Sequence, residues 1–473
     1  MAAPNCWRCL ARPSQTRLLS FPTISTPATT LPASVSLFST STALAATLPG
    51  KKKEATGKGH IRAGKRLTLG KKKRKPAEKG RPVAPGERKA FRKRIQLSND
   101  NALEVPGLLE LSKEVISDPE SVGKVVRLPG TLVDQLRTIE VFKPTQNWSL
   151  FRSPHMLIRK ETAELAKQIQ DAVDKKQTLR TVITGSKGSG KSILDLQVLS
   201  MGLLNDYCVI HIPEVQDLTT AHVDYSAIPD SNLYAQPTAT IKLMQAILKA
   251  NPVLSQYKVE GDYLYLPVNI SRSMTLAQML TATKDPEFAW PVFKAFWQEL
   301  IRPGRPPVMF TLDGLAHMMR MSDYRSPSFE IIHSHDMALV GLFADSLAGR
   351  VQFPNGAAII GTTSQSNCPI IPSLVKALEQ ATARTKGLPV PPRDPYCKDK
   401  DERVYECLKD VKVQEVQGLS KSEARSLMEY WAASGMLRTT VNEYSVSDKW
   451  TMAGGGIVAE MERAALYDNR MAM

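Results

Sequence analysis

The chain has 473 residues, with 62 Lys and Arg against 46 Asp and Glu, 42% apolar residues and six cysteines. That length supports two or three compact units around a sizeable core, and the apolar fraction excludes wholesale disorder. No run approaches the roughly 18 consecutive apolar residues of a membrane-spanning helix, and the scattered cysteines argue against a disulfide framework.

The net charge of +16 sits at the N-terminus. Residues 1–50 carry Arg8, Arg12 and Arg17, no acid, and 15 Ser or Thr. This cationic, hydroxyl-rich composition predicts a mitochondrial targeting presequence, and Pro22 and Pro27 break any secretory apolar core. Cys6 and Cys9 form a C-x-x-C with no second pair at metal spacing, so they read as chance. Cys208, Cys368, Cys397 and Cys407 would remain after cleavage, which suits a reducing matrix. Residues 51–100 carry 19 Lys and Arg against Glu54, Glu78, Glu87 and Asp100, with runs at Lys51–Lys53 and Lys71–Lys75. They predict a disordered, extended basic arm on nucleic-acid phosphates, RNA being favoured over a merely solvated tail. Phe91 is its one aromatic residue, so base reading by stacking is not expected. From residue 101 onward the charges nearly cancel.

In chain order, Leu108–Ser117 reads as a helix, and Arg127–Phe142, with Pro129 and Gly130, resists assignment. Leu165, Ile169 and Val173 make one apolar stripe of a helix over Arg159–Lys175. The β-branched run Leu179–Thr184 reads as a strand. It leads into Gly185-Ser186-Lys187-Gly188-Ser189-Gly190-Lys191-Ser192 and then an apolar helix over Ile193–Leu204. A strand at Cys208–Ile212 stops at Pro213. A long insertion follows, with helices near Thr238–Ala250 and Pro291–Leu300, in which Trp290 and Trp297 read as packing residues. Pro307–Asp313 is an apolar strand ending in an acid, followed by Gly314. His333-Ser334-His335-Asp336 reads as a helix start rather than a zinc cluster. Ala357–Thr363 is a third buried strand, ending in the polar run Ser364–Asn367, a γ-phosphate sensor or a plain turn. Residues 385–403, rich in proline, read as a linker or exposed loop. Ser420-Lys421-Ser422-Glu423 is a capping box ahead of a helix that Gly435 ends.

The glycine-rich octet matches G-x-x-x-x-G-K-[ST] at every fixed position, between a strand and a helix as that motif requires. Its glycines let backbone N–H groups converge on phosphates at a positive helix end. Lys191 would reach the β- and γ-phosphates, Ser192 would ligate Mg²⁺, and Asp313 is the acidic partner for that metal. Gly185, Ser186, Lys187, Gly188, Ser189 and Gly190 would complete the nucleotide site, with the Lys187 side chain in solvent. Gly314 stands where an active AAA-type ATPase carries a water-activating Glu, and His317 is a weak substitute that reads as a helix-surface residue. Loss of a positioned base removes roughly 10²–10⁴-fold in rate, so nucleotide binding with slow or no turnover is expected.

The expected fold is α/β. It is a P-loop NTPase, AAA-like parallel sheet with flanking helices (101–384), a linker or loop (385–403) and a small C-terminal helical lid (404–473). The presequence (1–50) and the basic arm (51–100) precede it.

The order of several blocks resembles the mitochondrial small-ribosomal-subunit protein of the death-associated-protein-three family, in a fungal-type version. These are His155–Lys160, the P-loop, Val209–Pro213, Leu312-Asp313-Gly314 and, more loosely, the helix after Ser420 with Gly454–Gly456 and Glu460–Arg463. The resemblance covers roughly residues 120–473. It implies GTP, ATP or the diphosphate on Gly185–Ser192, with Mg²⁺ near Ser192 and Asp313. It also implies contacts to small-subunit rRNA and neighbouring mitochondrial ribosomal proteins near the interface with the large subunit, in the matrix and with no membrane. No N-K-x-D motif selects guanine. The alternative is a free mitochondrial P-loop ATPase remodelling nucleic acid or protein, with Arg320, Arg325 or Arg350 as its arginine finger.

Overall fold

The fold was established from a computed structural model that describes residues 95–365, 368–393, 396 and 400–467. The expected presequence, nearly all of the basic arm, and Ser366 and Asn367 of the sensor run lie outside the described residues. Among those described, no helix is long and apolar enough to cross a membrane.

Strands β1 (Leu109–Glu110), β2 (Val125–Arg127) and β3 (His155–Leu157) form a small sheet in that order. The helix expected over Leu108–Ser117 is confined to Lys113–Ser117, because Ser112 caps it by accepting the Val115 amide at 3.3 Å. Gly130–Thr138 is a helix with Pro129 at its N-cap.

The central sheet contains β4 (Thr178–Gly185) and β5 (Cys208–Ile212). After β5 come a hairpin of β6 (Ser226–Ala227) and β7 (Tyr234–Ala235), then β8 (Val308–Asp313), which rejoins the sheet. A second hairpin of β9 (Met321–Arg325) and β10 (Ile331–His333) precedes β11 (Ala357–Thr362) and β12 (Lys412–Val416), both in the central sheet. All its pairings are parallel, in the order β12-β4-β11-β8-β5. Strands β5, β8 and β11 are buried along their whole length, which is why they read as unbroken apolar runs rather than alternating ones. Alternate residues feed opposite faces. Val182, Ile210, Phe310 and Ile359 join one core, and Ile183, Val209, Met309 and Ile360 the other.

Helices Lys160–Asp174 and Lys191–Leu204 pack on the second face, and Pro286–Leu300 and Ala338–Ala348 on the first. The insertion helix starts at Pro286, five residues before the expected start. Pro291 is tolerated inside it because Ala289, Val292, Phe293, Phe296 and Leu300 are buried on its core face. Trp297 packs against Phe310 and Phe353, as a core residue.

The segment 404–473 is not wholly helical, a correction to the expected lid. Helix Glu402–Cys407 crosses the expected boundary, and Lys412–Val416 is the β12 edge of the central sheet, with Val413 opposite Val182. The C-terminal helices Lys421–Ala433, Glu443–Met452 and Val458–Glu462 gather around a third apolar cluster that includes Leu427, Met428, Trp431, Met461 and, from the N-terminal side, Phe151 and Leu157. The capping box forms as expected: the Glu423 amide donates to Ser420 Oγ at 3.2 Å, and the Ser420 amide to Glu423 Oε2 at 2.8 Å.

Candidate functional site

Strand β4 delivers the glycine loop to the carboxyl edge of the parallel sheet, where ligands of open α/β sheets sit. Thr362 of β11 is paired with Asp313 of β8 and with Ile183 of β4, so all three strands end at one level. The loop needs its glycines. Gly188 has φ +77° and Gly190, at the helix N-cap, +102°. A Cβ on Gly185 (φ +147°) would lie 2.4 Å from the Val416 carbonyl oxygen.

Within the loop, Lys191 Nζ donates to the Gly185 and Ser186 carbonyl oxygens at 2.9 and 2.7 Å. Burial lowers its pKa, and the neighbouring Asp313 opposes that shift. Lys187 is exposed, as expected. The Ser189 side chain is fully buried, and its hydroxyl has no hydrogen-bond partner. Ser192 Oγ and Asp313 Oδ2 are 3.4 Å apart although 121 residues separate them. The acid-ended strand and the P-loop helix thus bring together the two groups that sequence assigns to the metal.

Three features of the site carry no sequence motif. The first is Lys143, whose ammonium hydrogen-bonds Asp313 Oδ2 and lies 3.4 Å from Ser192 Oγ. It is held by the turn Pro144–Gln146, where the Lys143 amide donates to Gln146 Oε1 at 2.8 Å, as does Trp148 Nε1. The second is Arg159, which is buried. Its guanidinium donates to the Ser189 and Gln417 carbonyl oxygens, each at 2.8 Å, and to Glu161 at 3.0 Å. It ties the glycine loop to the chain leaving β12. The third is the C-terminal strap. Gly454, Gly455 and Gly456 all have positive φ and turn the chain so that Ile457–Ala459 lies on the loop. The Ala459 amide donates to the Gly188 carbonyl oxygen at 3.1 Å.

Behind the cradle lies Asp195, one turn along the P-loop helix and almost fully buried. Burial, then the Asp313 charge, raises its pKa well above the ordinary aspartate value. His211 Nδ1 lies 2.6 Å from Thr311 Oγ1 and 3.8 Å from Asp195.

Gly314 has φ +86°, a conformation that a Glu would occupy only under strain. His317 is buried rather than on a helix surface, a correction; its helix spans only Leu315–Met318 and packs inward. Arg320 pairs with Asp323, Arg325 donates to the Phe329 carbonyl, and Arg350 pairs with Asp345 and Glu406. His333 caps the turn Ser334–Asp336 by accepting the His335 amide at 3.0 Å, and its Nε2 lies 2.8 Å from Asp401.

A family model described as mitochondrial ribosomal death-associated protein 3 matches residues 156–464. A relative from Neurospora crassa, the small ribosomal subunit protein mS29, is 46% identical over 472 residues, covering 98% of this chain and 99% of that protein. The protein of the same name from Schizosaccharomyces pombe is 23% identical over 358 residues, covering 73% of this chain and 72% of its own. On the extent of the family-model match and of the Neurospora match, this chain belongs to the mitochondrial ribosomal death-associated protein 3 family.

Proposed function

We propose that the chain is a structural protein of the mitochondrial small ribosomal subunit that carries a purine nucleoside di- or triphosphate in the Gly185–Ser192 cradle. Family membership supports the mitochondrial ribosomal role and the matrix location. The cradle itself carries the nucleotide reading: glycines with positive φ, Lys191, and Asp313 within 3.4 Å of Ser192 at the sheet's carboxyl edge. The strand order, with β11 between the loop strand and the acid-ended strand, supports the AAA-like reading. The strap on Gly188 supports a lid, made by the part of the chain after β12. The match to the Neurospora protein spans 98% of the chain, so it includes most of the basic segment 51–100, which we assign to rRNA backbone contact.

The chain binds and retains rather than turns over. Gly314 supplies no base, and Arg320, Arg325 and Arg350 are each engaged elsewhere, which disfavours the ATPase alternative. Backbone amides and Lys191 would hold the phosphates. Ser192 and Asp313 would suit a divalent cation by chemistry, but Lys143 stands on both, so the residues as arranged do not fit one.

Sedimentation of the tagged protein from mitochondrial lysate through a high-salt sucrose gradient tests the ribosomal role. Co-migration with the small subunit is expected; recovery only in light fractions would contradict it.

A further inference from the structure

We infer that Lys143 supplies from within the chain the positive charge that a P-loop otherwise takes from a divalent metal, so that the nucleotide is held without Mg²⁺. The inference rests on the nucleotide reading of the cradle and goes beyond it.

The geometry is specific. A divalent ion in a P-loop is held by the hydroxyl after the lysine and by the acid ending the facing strand. Here those groups are Ser192 and Asp313, and the Lys143 ammonium contacts both. Asp313 is nearly buried, and a buried carboxylate without a counter-charge is strongly destabilising. Lys143 meets that need. A magnesium ion would require oxygens at about 2.0–2.1 Å in an octahedron, in a volume that the ammonium fills and from which it repels a dication.

Lys143 is also positioned, not merely within reach. Its backbone is fixed through Gln146, which also accepts the buried Trp148 indole. The next residue, Asn147, has φ +49° and donates to Glu462 of the strap at 2.9 Å. The turn before β3 and the C-terminal strap therefore hold this lysine between them. Lys191 from the loop would face the phosphates, and Lys143, paired with Asp313, would cancel that carboxylate's repulsion of them. A fixed single charge cannot bridge β- and γ-oxygens as a metal ion does, so the substitution favours retention over hydrolysis.

The test is equilibrium binding of fluorescent GDP and ADP analogues to the purified full-length chain, first stripped of any resident nucleotide and shown to remain folded, in millimolar Mg²⁺ and in excess EDTA. The wild-type chain should bind within about twofold in the two buffers. Lys143→Met and Lys143→Gln should each weaken binding about tenfold or more in EDTA and recover with Mg²⁺. A wild-type chain that loses tenfold or more on metal removal would overturn the role of Lys143 and leave the nucleotide reading intact. Binding in neither buffer would remove the nucleotide reading, and this inference with it.

Discussion

The Ala459 amide and the Gly188 carbonyl oxygen are joined at 3.1 Å, so a segment almost at the end of the chain closes on the glycine loop 271 residues earlier. The glycine loop and the C-terminal helices are therefore coupled, and a change in one should be felt in the other.

Gly456→Val tests that coupling. Gly456 has φ +83°, and a Cβ there would come 2.4 Å from the Leu419 carbonyl oxygen. The expected cost is about 2–4 kcal/mol, read as a lower denaturant midpoint, with faster proteolysis after β12 and weaker nucleotide retention. Stability and retention unchanged in this variant would show that the strap does not brace the cradle.

Arg159→Ala leaves the Ser189 and Gln417 carbonyls without their shared donor and Glu161 without its counter-charge, with only the Gln417 amide at 3.4 Å remaining on it. Destabilisation of about 3 kcal/mol is expected in urea melts. Arg159→Lys should restore little, because one ammonium cannot span three acceptors in the geometry of a planar fork.

Asp195 sets a pH dependence. Burial raises its pKa in the folded chain above the ordinary aspartate value that it keeps when unfolded. The unfolded state therefore binds fewer protons between those two values, and stability falls as pH rises through that window. The slope is at most about 1.4 kcal/mol per pH unit. Asp195→Asn should lack this component, so the variant's midpoint minus the wild type's should increase as pH rises. A pH-independent difference would mean that Asp195 is ionised in the folded chain.

Much of the site was legible in sequence because its parts are local. The β4–loop–helix unit announces itself through a β-branched run, spaced glycines and an apolar helix, and β8 through an unbroken run ending in Asp313. Strand β12 was hidden because Lys412-Val413-Gln414-Glu415-Val416 is a half-exposed edge whose polar alternation resembles loop. Lys143 was hidden for another reason. A single lysine 48 residues before the cradle lysine has no local pattern, and only the packing of Trp148 and the strap brings it to Asp313. Arg159 lay inside a family-like block, but nothing in that block says that it holds the Ser189 carbonyl.

Lys191→Ala removes the side chain that would neutralise the phosphates and, with it, the donor to the Gly185 and Ser186 carbonyls. Nucleotide affinity should fall about 100-fold or more, with the nucleotide-free chain destabilised by about 1–3 kcal/mol but still folded. Equal affinity for wild type and variant would place the ligand elsewhere.

The most direct measurement is acid extraction and chromatographic quantification of nucleotide from the natively purified chain, wild type beside Lys191→Ala. About one purine nucleotide per wild-type chain and almost none in the variant is the expected result. A wild-type chain that is folded yet releases no nucleotide would contradict the claim that the cradle is a permanent phosphate site.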